Sequence, residues 1–415
     1  MRPQEYQWLE RLPLRNVVAQ YGTPTYLYDA ARIKAQYHAL EKVFADAKVR
    51  VHIHYALKAN SNQAILTLLG RLGAGVDVVS QGEAMRACKA DIASEDIVFS
   101  GVGKTLEELH FAFAARIGQL NCESAHELEQ IATLAQEYKK PMRVAIRVNP
   151  DVAAGTHAKI TTGTKENKFG IPMDLAQELF HRYQSHEFLQ VDAVAVHIGS
   201  QLVSLEPYAK CFAKIRAFVQ QLRAADITIN QIDFGGGLGV ATAGNDGLDT
   251  EAYGALVAEN FADLNIALLC EPGRYLVAEA GILLVRVILS KQGGDKQFII
   301  TDGAMNDLIR PTLYEAHHTI VPLDMPRGPN LPSDIVGPVC ESGDYLAMNR
   351  AMPKLPDGSI LAVLGAGAYG SVMASTYNTR PLLAEVLVYG EKIACIRPRM
   401  GLEELIARDN VPEWL

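Results

Sequence analysis

From about residue 50 onward the chain alternates between short apolar, β-rich runs and longer stretches of helical period. The apolar runs fall at 50–58, 75–79, 96–100, 119–123, 143–148, 192–198, 231–235 and 266–271. Between them lie segments such as NQAILTLLGRL, LEELHFAFAARI, AHELEQIATLAQEY and YAKCFAKIRAFVQQLRA. Parallel strands need a crossover long enough to hold a helix, so this alternation predicts an α/β fold with a parallel sheet. Eight such strands favour a (β/α)8 barrel over an open doubly wound sheet.

After about residue 280 the rhythm changes. ILLVRVILS, QFIITDG, DIVGPVC, ILAVLG and LLAEVLVYG have strand character, with turns and few helices between them. A mostly antiparallel β domain is expected there. PTYLYD at 24–29 also reads as a strand and is expected to join that C-terminal sheet. The expected division is a barrel over 31–278 and a β-sandwich or β-barrel-like domain made from 1–30 and 279–415. A chain of 415 residues accommodates two such domains. The Gly/Thr/Lys-rich stretch 151–168 reads as a lid.

The net charge of -8 and the lack of a long basic run argue against nucleic acid or an anionic membrane surface as partner. The longest apolar stretch, AGILLVRVILS, is interrupted by Arg286 and is too short to span a bilayer. The opening MRPQEYQWLERL has no apolar signal core, so a cytoplasmic protein is expected. The six cysteines are scattered without a C-x-x-C pair, which suggests neither a zinc site nor a disulfide framework. Most read as small buried hydrophobes. Lys104 in SGVGKT lacks the spacing of a nucleotide-binding loop and reads as an ordinary strand-to-helix turn.

In barrels of this kind chemistry sits at the C-terminal ends of the strands. Here those ends carry Lys58, then Asp77 and Ser80, then His197 and Ser200 in HIGSQ. The last two carry Gly235, Gly236 and Gly237 in DFGGGLG, and Glu271, Pro272, Gly273 and Arg274 in EPGR. Each has a plain structural alternative. A surface lysine, a tight glycine turn, a strand-capping carboxylate and a core histidine are all common. Taken together they fit one cofactor. Glycine loops after strands seven and eight are where such barrels often bind phosphate, and Arg274 adds a guanidinium. Glu271 could hold a ring nitrogen protonated, His197 could stack on a flat ring, and Lys58 could bond to a carbonyl as a Schiff base. That cofactor is pyridoxal 5′-phosphate.

HYALKANSN, HIGSQ, DFGGGLG, EPGR, CESGDYLA and GAGAYG, in this order, resemble motifs of the alanine-racemase-fold (group IV) pyridoxal-phosphate decarboxylases. Among these the chain is most similar to the diaminopimelate decarboxylases, over roughly residues 20–400. The resemblance implies a head-to-tail homodimer with composite active sites. It implies that Lys58 is the Schiff-base lysine, that His197 stacks on the ring and that Glu271 pairs with its nitrogen. It assigns the phosphate to Ser200, Gly237, Gly273 and Tyr369. Cys340 of CESGD would come from the partner subunit and return a proton to carbon, a task water could also perform. Glu341 would bind the substrate's distal ammonium, and Arg274, Arg310 and Tyr314 its distal carboxylate. A distal end carrying both charges fits meso-diaminopimelate, decarboxylated at its D-centre to L-lysine. Related decarboxylases act on ornithine, arginine or carboxynorspermidine, and some relatives are non-catalytic cofactor-binding regulators. A racemase, or a phosphate-binding barrel without pyridoxal, accounts for fewer of the motifs.

Overall fold

The computed structural model describes residues 4–153, 167–242, 246–324 and 328–415. The lid expected at 151–168 falls mainly on 154–166, outside the described residues. Two compact units emerge: Met1–Ile33, Thr242–Gly244 and Val277–Leu415 form one, Lys34–Ala241 and Asn245–Leu276 the other.

Strand β1 (Thr25–Asp29) belongs to the first of these. The second unit is the barrel. Its strands are β2 (Val51–Ala56), β3 (Gly75–Val78), β4 (Ile97–Phe99), β5 (Gln119–Cys122) and β6 (Met142–Asn149). A two-residue strand, β7 (Ile171–Pro172), follows, then β8 (Leu189–Ala195), β9 (Gln231–Asp233) and β10 (Ala267–Cys270). The order β5-β4-β3-β2-β10-β9-β8-β6 closes through β5–β6, and every pairing around the ring is parallel. β7 extends β6 outside the ring.

Helices begin just past the strand ends because polar residues there cap them. Ser80, Thr105 and Ser124 each accept from the backbone N–H three residues on, and Glu108 completes a capping box with Thr105. Phe212, Phe234, Tyr253 and Phe261 form one aromatic cluster, with Phe234 edge to face against both Phe212 and Tyr253.

One boundary differs from expectation. The strand read over 50–58 stops at Ala56, and Leu57–Ala59 form a short 3-10 turn. Side-chain amides supply the reason. Asn60 Oδ1 accepts from Asn62 N–H at 3.1 Å, Asn62 Oδ1 accepts from Ala64 N–H at 3.0 Å, and the Tyr55 hydroxyl donates to Asn60 O at 2.9 Å. These bonds hold the backbone in a turn that the ladder would otherwise claim.

The first unit is a mixed sheet: β11 (Gly281–Gly293), β12 (Lys296–Thr301), β13 (Ile320–Pro322), β14 (Leu331–Val336), β15 (Tyr345–Met352), β16 (Ile360–Leu364), β17 (Ala384–Tyr389) and β18 (Lys392–Arg397). β1 joins it as expected, antiparallel to β11 and parallel to β17. β12–β14 is also parallel, and the remaining pairings are antiparallel. Its core gathers Leu27, Ile282, Leu284, Val386 and Val388 with Leu9, Leu14 and Val17 from the N-terminal segment. Cys122, Cys211 and Cys270 are buried, while Cys88, Cys340 and Cys395 are exposed. Among the described residues no helix is long and apolar enough to cross a membrane.

Candidate active site

Lys58 projects from the turn that ends β2. Ala56 pairs with Asp77 on β3, which brings the two side chains together. Lys58 Nζ donates to Asp77 Oδ2 at 2.8 Å, with the carboxylate fully buried and the lysine side chain 37% exposed. The other oxygen, Asp77 Oδ1, is buried without a hydrogen-bond partner among the described residues.

Glu271 stands just beyond β10, and Asp233 ends the neighbouring β9. Glu271 N–H donates to Gly235 O at 2.7 Å, fixing the two strand ends side by side. From β5, Asn121 Nδ2 reaches Ser100 Oγ at 3.0 Å, Asp233 Oδ2 at 3.3 Å and Glu271 Oε1 at 3.4 Å. β5 and β9 are not neighbours in the ring, so these contacts cross the barrel interior. Burial, then the charges of Asp233 and Asp77, hold the Glu271 carboxyl well above the usual carboxylate range, with Lys58 opposing them. Burial also raises Asp233.

His197 follows β8. Gly236 N–H donates to its Nδ1 at 3.2 Å, so the ring proton of the neutral imidazole sits on Nε2. Burial, then the charges of Arg147 and Lys58, push its pKa well down and keep it neutral. Arg147, on β6, is itself held by Glu123 at 2.7 Å, and Glu123 Oε2 accepts from Gly170 N–H at 3.0 Å.

The glycine loop is explained first by its neighbours. A Cβ on Gly236 would lie 2.1 Å from Glu271 O, and one on Gly235 2.4 Å from Val196 O. Gly235 also has φ +71°. Only bare backbone lets the loops after β8, β9 and β10 meet this closely. Side chains then lock them: Arg274 Nη2 donates to Ser200 Oγ at 3.4 Å, and Gln201 Nε2 donates to Val240 O at 2.7 Å. Ala56 N–H donates to Pro272 O at 3.2 Å, tying EPGR to the end of β2. Lys58, His197, Ser200, Gly235, Gly236, Gly237, Glu271, Pro272, Gly273 and Arg274 therefore gather at one end of the barrel.

Arg310, Tyr314, Cys340, Glu341 and Tyr369 belong to the other unit. Arg310 and Tyr314 are the first and last residues of one helical turn, with Pro311 near its start. Within that unit their motifs converge. Arg310 Nη1 donates to Ala368 O of GAGAYG at 3.5 Å, and Thr312 Oγ1 donates to Gly343 O of CESGD at 2.6 Å. The exposed Cys340 is positioned by its N–H, which donates to Asn378 Oδ1 at 3.1 Å.

Reading strand ends alone passes over Asn121, Asp233, Arg147, Glu123 and Gln201. A signal existed for two of them. Asn121 and Asp233 are polar residues inside short apolar runs, each two positions from another polar residue, Gln119 and Gln231, on the same strand face. Lys104 does lie in a strand-to-helix turn, but its ammonium is buried and donates to Glu127 Oε1 at 2.6 Å and to Asn121 O at 2.7 Å.

A barrel with a lysine, a buried carboxyl pair and glycine loops at one end, together with a β unit, defines a class. Residues 30–278 match the family described as "pyridoxal-dependent decarboxylase, pyridoxal binding domain". The chain belongs to that family. Within it the resemblance is specific. A diaminopimelate decarboxylase of Zymomonas mobilis is 43% identical over 410 residues, 98% of this chain and 97% of that protein. One of Pseudomonas aeruginosa is 42% identical over 404 residues, 97% of this chain and 96% of the relative. The crystal structure of diaminopimelate decarboxylase from Helicobacter pylori complexed with L-lysine superposes with TM-score 0.91 at 41% identity, covering 95% of this chain and 98% of that one.

Proposed function

We infer that this protein is a pyridoxal-phosphate-dependent carboxy-lyase that removes CO2 from the D-centre of meso-2,6-diaminopimelate and forms L-lysine. The observation that carries the reading is the Lys58 amine held 2.8 Å from a buried carboxylate in a barrel that also presents Glu271 and the glycine loops. Family membership and near full-length similarity to diaminopimelate decarboxylases support the substrate.

The residues present fit the cofactor. Asp77 Oδ1 is a buried oxygen without a partner among the described residues. Glu271 is a buried carboxyl among like charges, suited to a cationic ring N–H. When bound, pyridoxal phosphate supplies a carbonyl for amine chemistry and a ring that withdraws the electrons left by CO2. Lys58 would provide the amine that anchors it. Asp77 orients that amine and balances its charge. Glu271 would accept a hydrogen bond from the ring N–H, a charge-assisted contact worth about 1.5–3 kcal/mol. Gly235, Gly236, Gly237, Gly273, Ser200, Arg274 and Tyr369 are the proposed phosphate ligands. His197, neutral and fixed at Nδ1, offers its face for stacking.

Arg274, Arg310 and Tyr314 are assigned to the distal carboxylate and Glu341 to the distal ammonium. Cys340, in a head-to-tail homodimer, serves the partner's site and delivers a proton where CO2 leaves. The exposure of Cys340 supports that role. Similarity to bacterial diaminopimelate decarboxylases supports a cytoplasmic location. The reading is tested by CO2 release across a substrate panel with added pyridoxal phosphate. meso-Diaminopimelate should turn over and yield lysine, and ornithine and arginine should be poor. Comparable turnover of ornithine overturns the two-arginine assignment. Mixing inactive Lys58→Ala and Cys340→Ala chains should restore part of the activity; no recovery despite subunit exchange argues against shared sites.

A further inference from the structure

The carboxyl groups of Asp233 and Glu271 meet at one amide inside the barrel: Asn121 Nδ2 lies 3.3 Å from Asp233 Oδ2 and 3.4 Å from Glu271 Oε1. Among the described residues few donors serve them. Gly235 N–H donates to Asp233 Oδ1 at 3.0 Å. The Asn121 amide nitrogen has two hydrogens for three acceptors, Ser100 Oγ, Asp233 Oδ2 and Glu271 Oε1, and its contacts lengthen in that order from 3.0 to 3.4 Å. Two buried carboxyls this close are poorly served as a doubly ionised pair on so few donors. The donor that completes the network is a proton on one of their own oxygens.

The surroundings point the same way. Asp77 from β3 adds a third carboxylate, and the Lys58 ammonium is already in contact with it. Cys270 on β10 is buried beside the pair, which pushes its thiol up and keeps it neutral. His197 beyond β8 is neutral, and Arg147 on β6 is engaged with Glu123.

We propose that Asp233 is a positioning residue for Glu271, and that the two carboxyls, bridged by Asn121, store one proton that Glu271 gives up when the site is loaded and a ring N–H would stand beside it. This rests on the pyridoxal reading above. The balance is simple. The O–H bond of the carboxyl pair breaks, its proton leaves to solvent, or to a ring nitrogen that arrives unprotonated, and no electron is transferred. Glu271 is left ionised and accepts from the new N–H, while Gly235 N–H and Asn121 hold Asp233. Asp233 thereby keeps Glu271 protonated until a better acceptor arrives, then adds negative charge that favours a protonated ring.

The test counts protons. The full-length chain is stripped of cofactor and reloaded with pyridoxal phosphate in a calorimeter, in two buffers of different ionisation enthalpy. In Asp233→Asn the amide donates to Glu271, which is then ionised before loading. That variant should take up roughly one more proton per site from buffer than the unaltered chain. It should also lower kcat about tenfold, as for one pKa unit at the ring, with KM little changed. Equal proton counts overturn the proposal, as does a variant that loses thermal stability without any change in count. Should Asp233→Asn fail to fold, infrared difference spectra of the unaltered chain decide. Loading should erase a protonated-carboxyl C=O band, and Glu271→Gln should lack that band. A spectrum with no such loss refutes the stored proton. Absence of visible cofactor absorbance in the unaltered chain would instead sink the pyridoxal reading itself.

Discussion

Across the barrel axis the side chains that meet are amides and carboxyls: Gln231 reaches Gln119, Gln119 reaches Asn121, and Asn121 reaches Asp233 and Glu271. Beneath β1, β11 and β17 of the other unit, the meeting groups are Leu27, Ile282, Leu284, Val386 and Val388. Barrels of this class usually fill their interiors with branched apolar side chains. Among the described residues of the barrel, the small side chains Ala145, Ala193 and Ala195 form an apolar cluster. The difference teaches what each unit is built for. An apolar core is non-directional, and its stability follows area and packing. A buried polar chain contributes little net stability per bond but fixes positions, because any unmatched donor or acceptor costs about 1–3 kcal/mol. The barrel's interior therefore specifies geometry under Glu271, and the β unit's interior specifies stability.

Substitutions can break this contrast. The largest effect should come from Lys58→Ala: turnover falls at least about a thousandfold and visible cofactor absorbance disappears, while the calorimetric melting temperature moves little. A melting change comparable to that of a core deletion would mean that Lys58 is chiefly structural. Leu284→Ala should behave in the opposite way. Leu284 is fully buried, so its truncation costs about 2–5 kcal/mol in denaturant unfolding, with kcat unchanged in the folded fraction.

The pH dependence of stability sharpens the comparison further. Burial pushes the pKa of His54, on β2, down from 6.5 to about 4. The unfolded chain binds that proton first, so this contribution to stability is complete above pH 6.5 and is lost as pH falls towards about 4. In the β unit, burial pushes Asp307 up from 3.8 to about 6. Its contribution is complete below the ordinary carboxylate value and is lost as pH rises through about 6. Unfolding curves of His54→Asn should lose the acid-side slope and those of Asp307→Asn the opposite one, each by about 1–3 kcal/mol. Slopes that survive both changes assign the pH dependence elsewhere. The smallest effect belongs to Cys395→Ser. An exposed thiol on β18 should change neither melting temperature nor turnover, and a loss of activity would show that it contributes to the site.

Much of the fold was legible from residue order. Eight apolar runs separated by helical periods became eight parallel strands, because burial on both faces and crossover length leave few other solutions. PTYLYD found its partners in β11 and β17 for the same reason: an isolated apolar strand must be covered. Most of the candidate site lay at strand ends, where backbone leaves the ladder and side chains become available. The end of β2 was misplaced by two residues because Asn60 and Asn62 compete locally for the backbone, an effect that strand alternation does not register.

The order of amino acids by itself determined the strand–helix alternation, the apolar faces and which strand ends carry Lys58, His197, Glu271 and the glycines, since each depends on neighbours a few positions away. Tertiary structure alone decided who stands opposite whom. Asn121 and Asp233 are 112 residues apart and meet only because the ring closes between β5 and β6. Burial there, which no stretch of sequence contains, raises the pKa of both the Asp233 and Glu271 carboxyls.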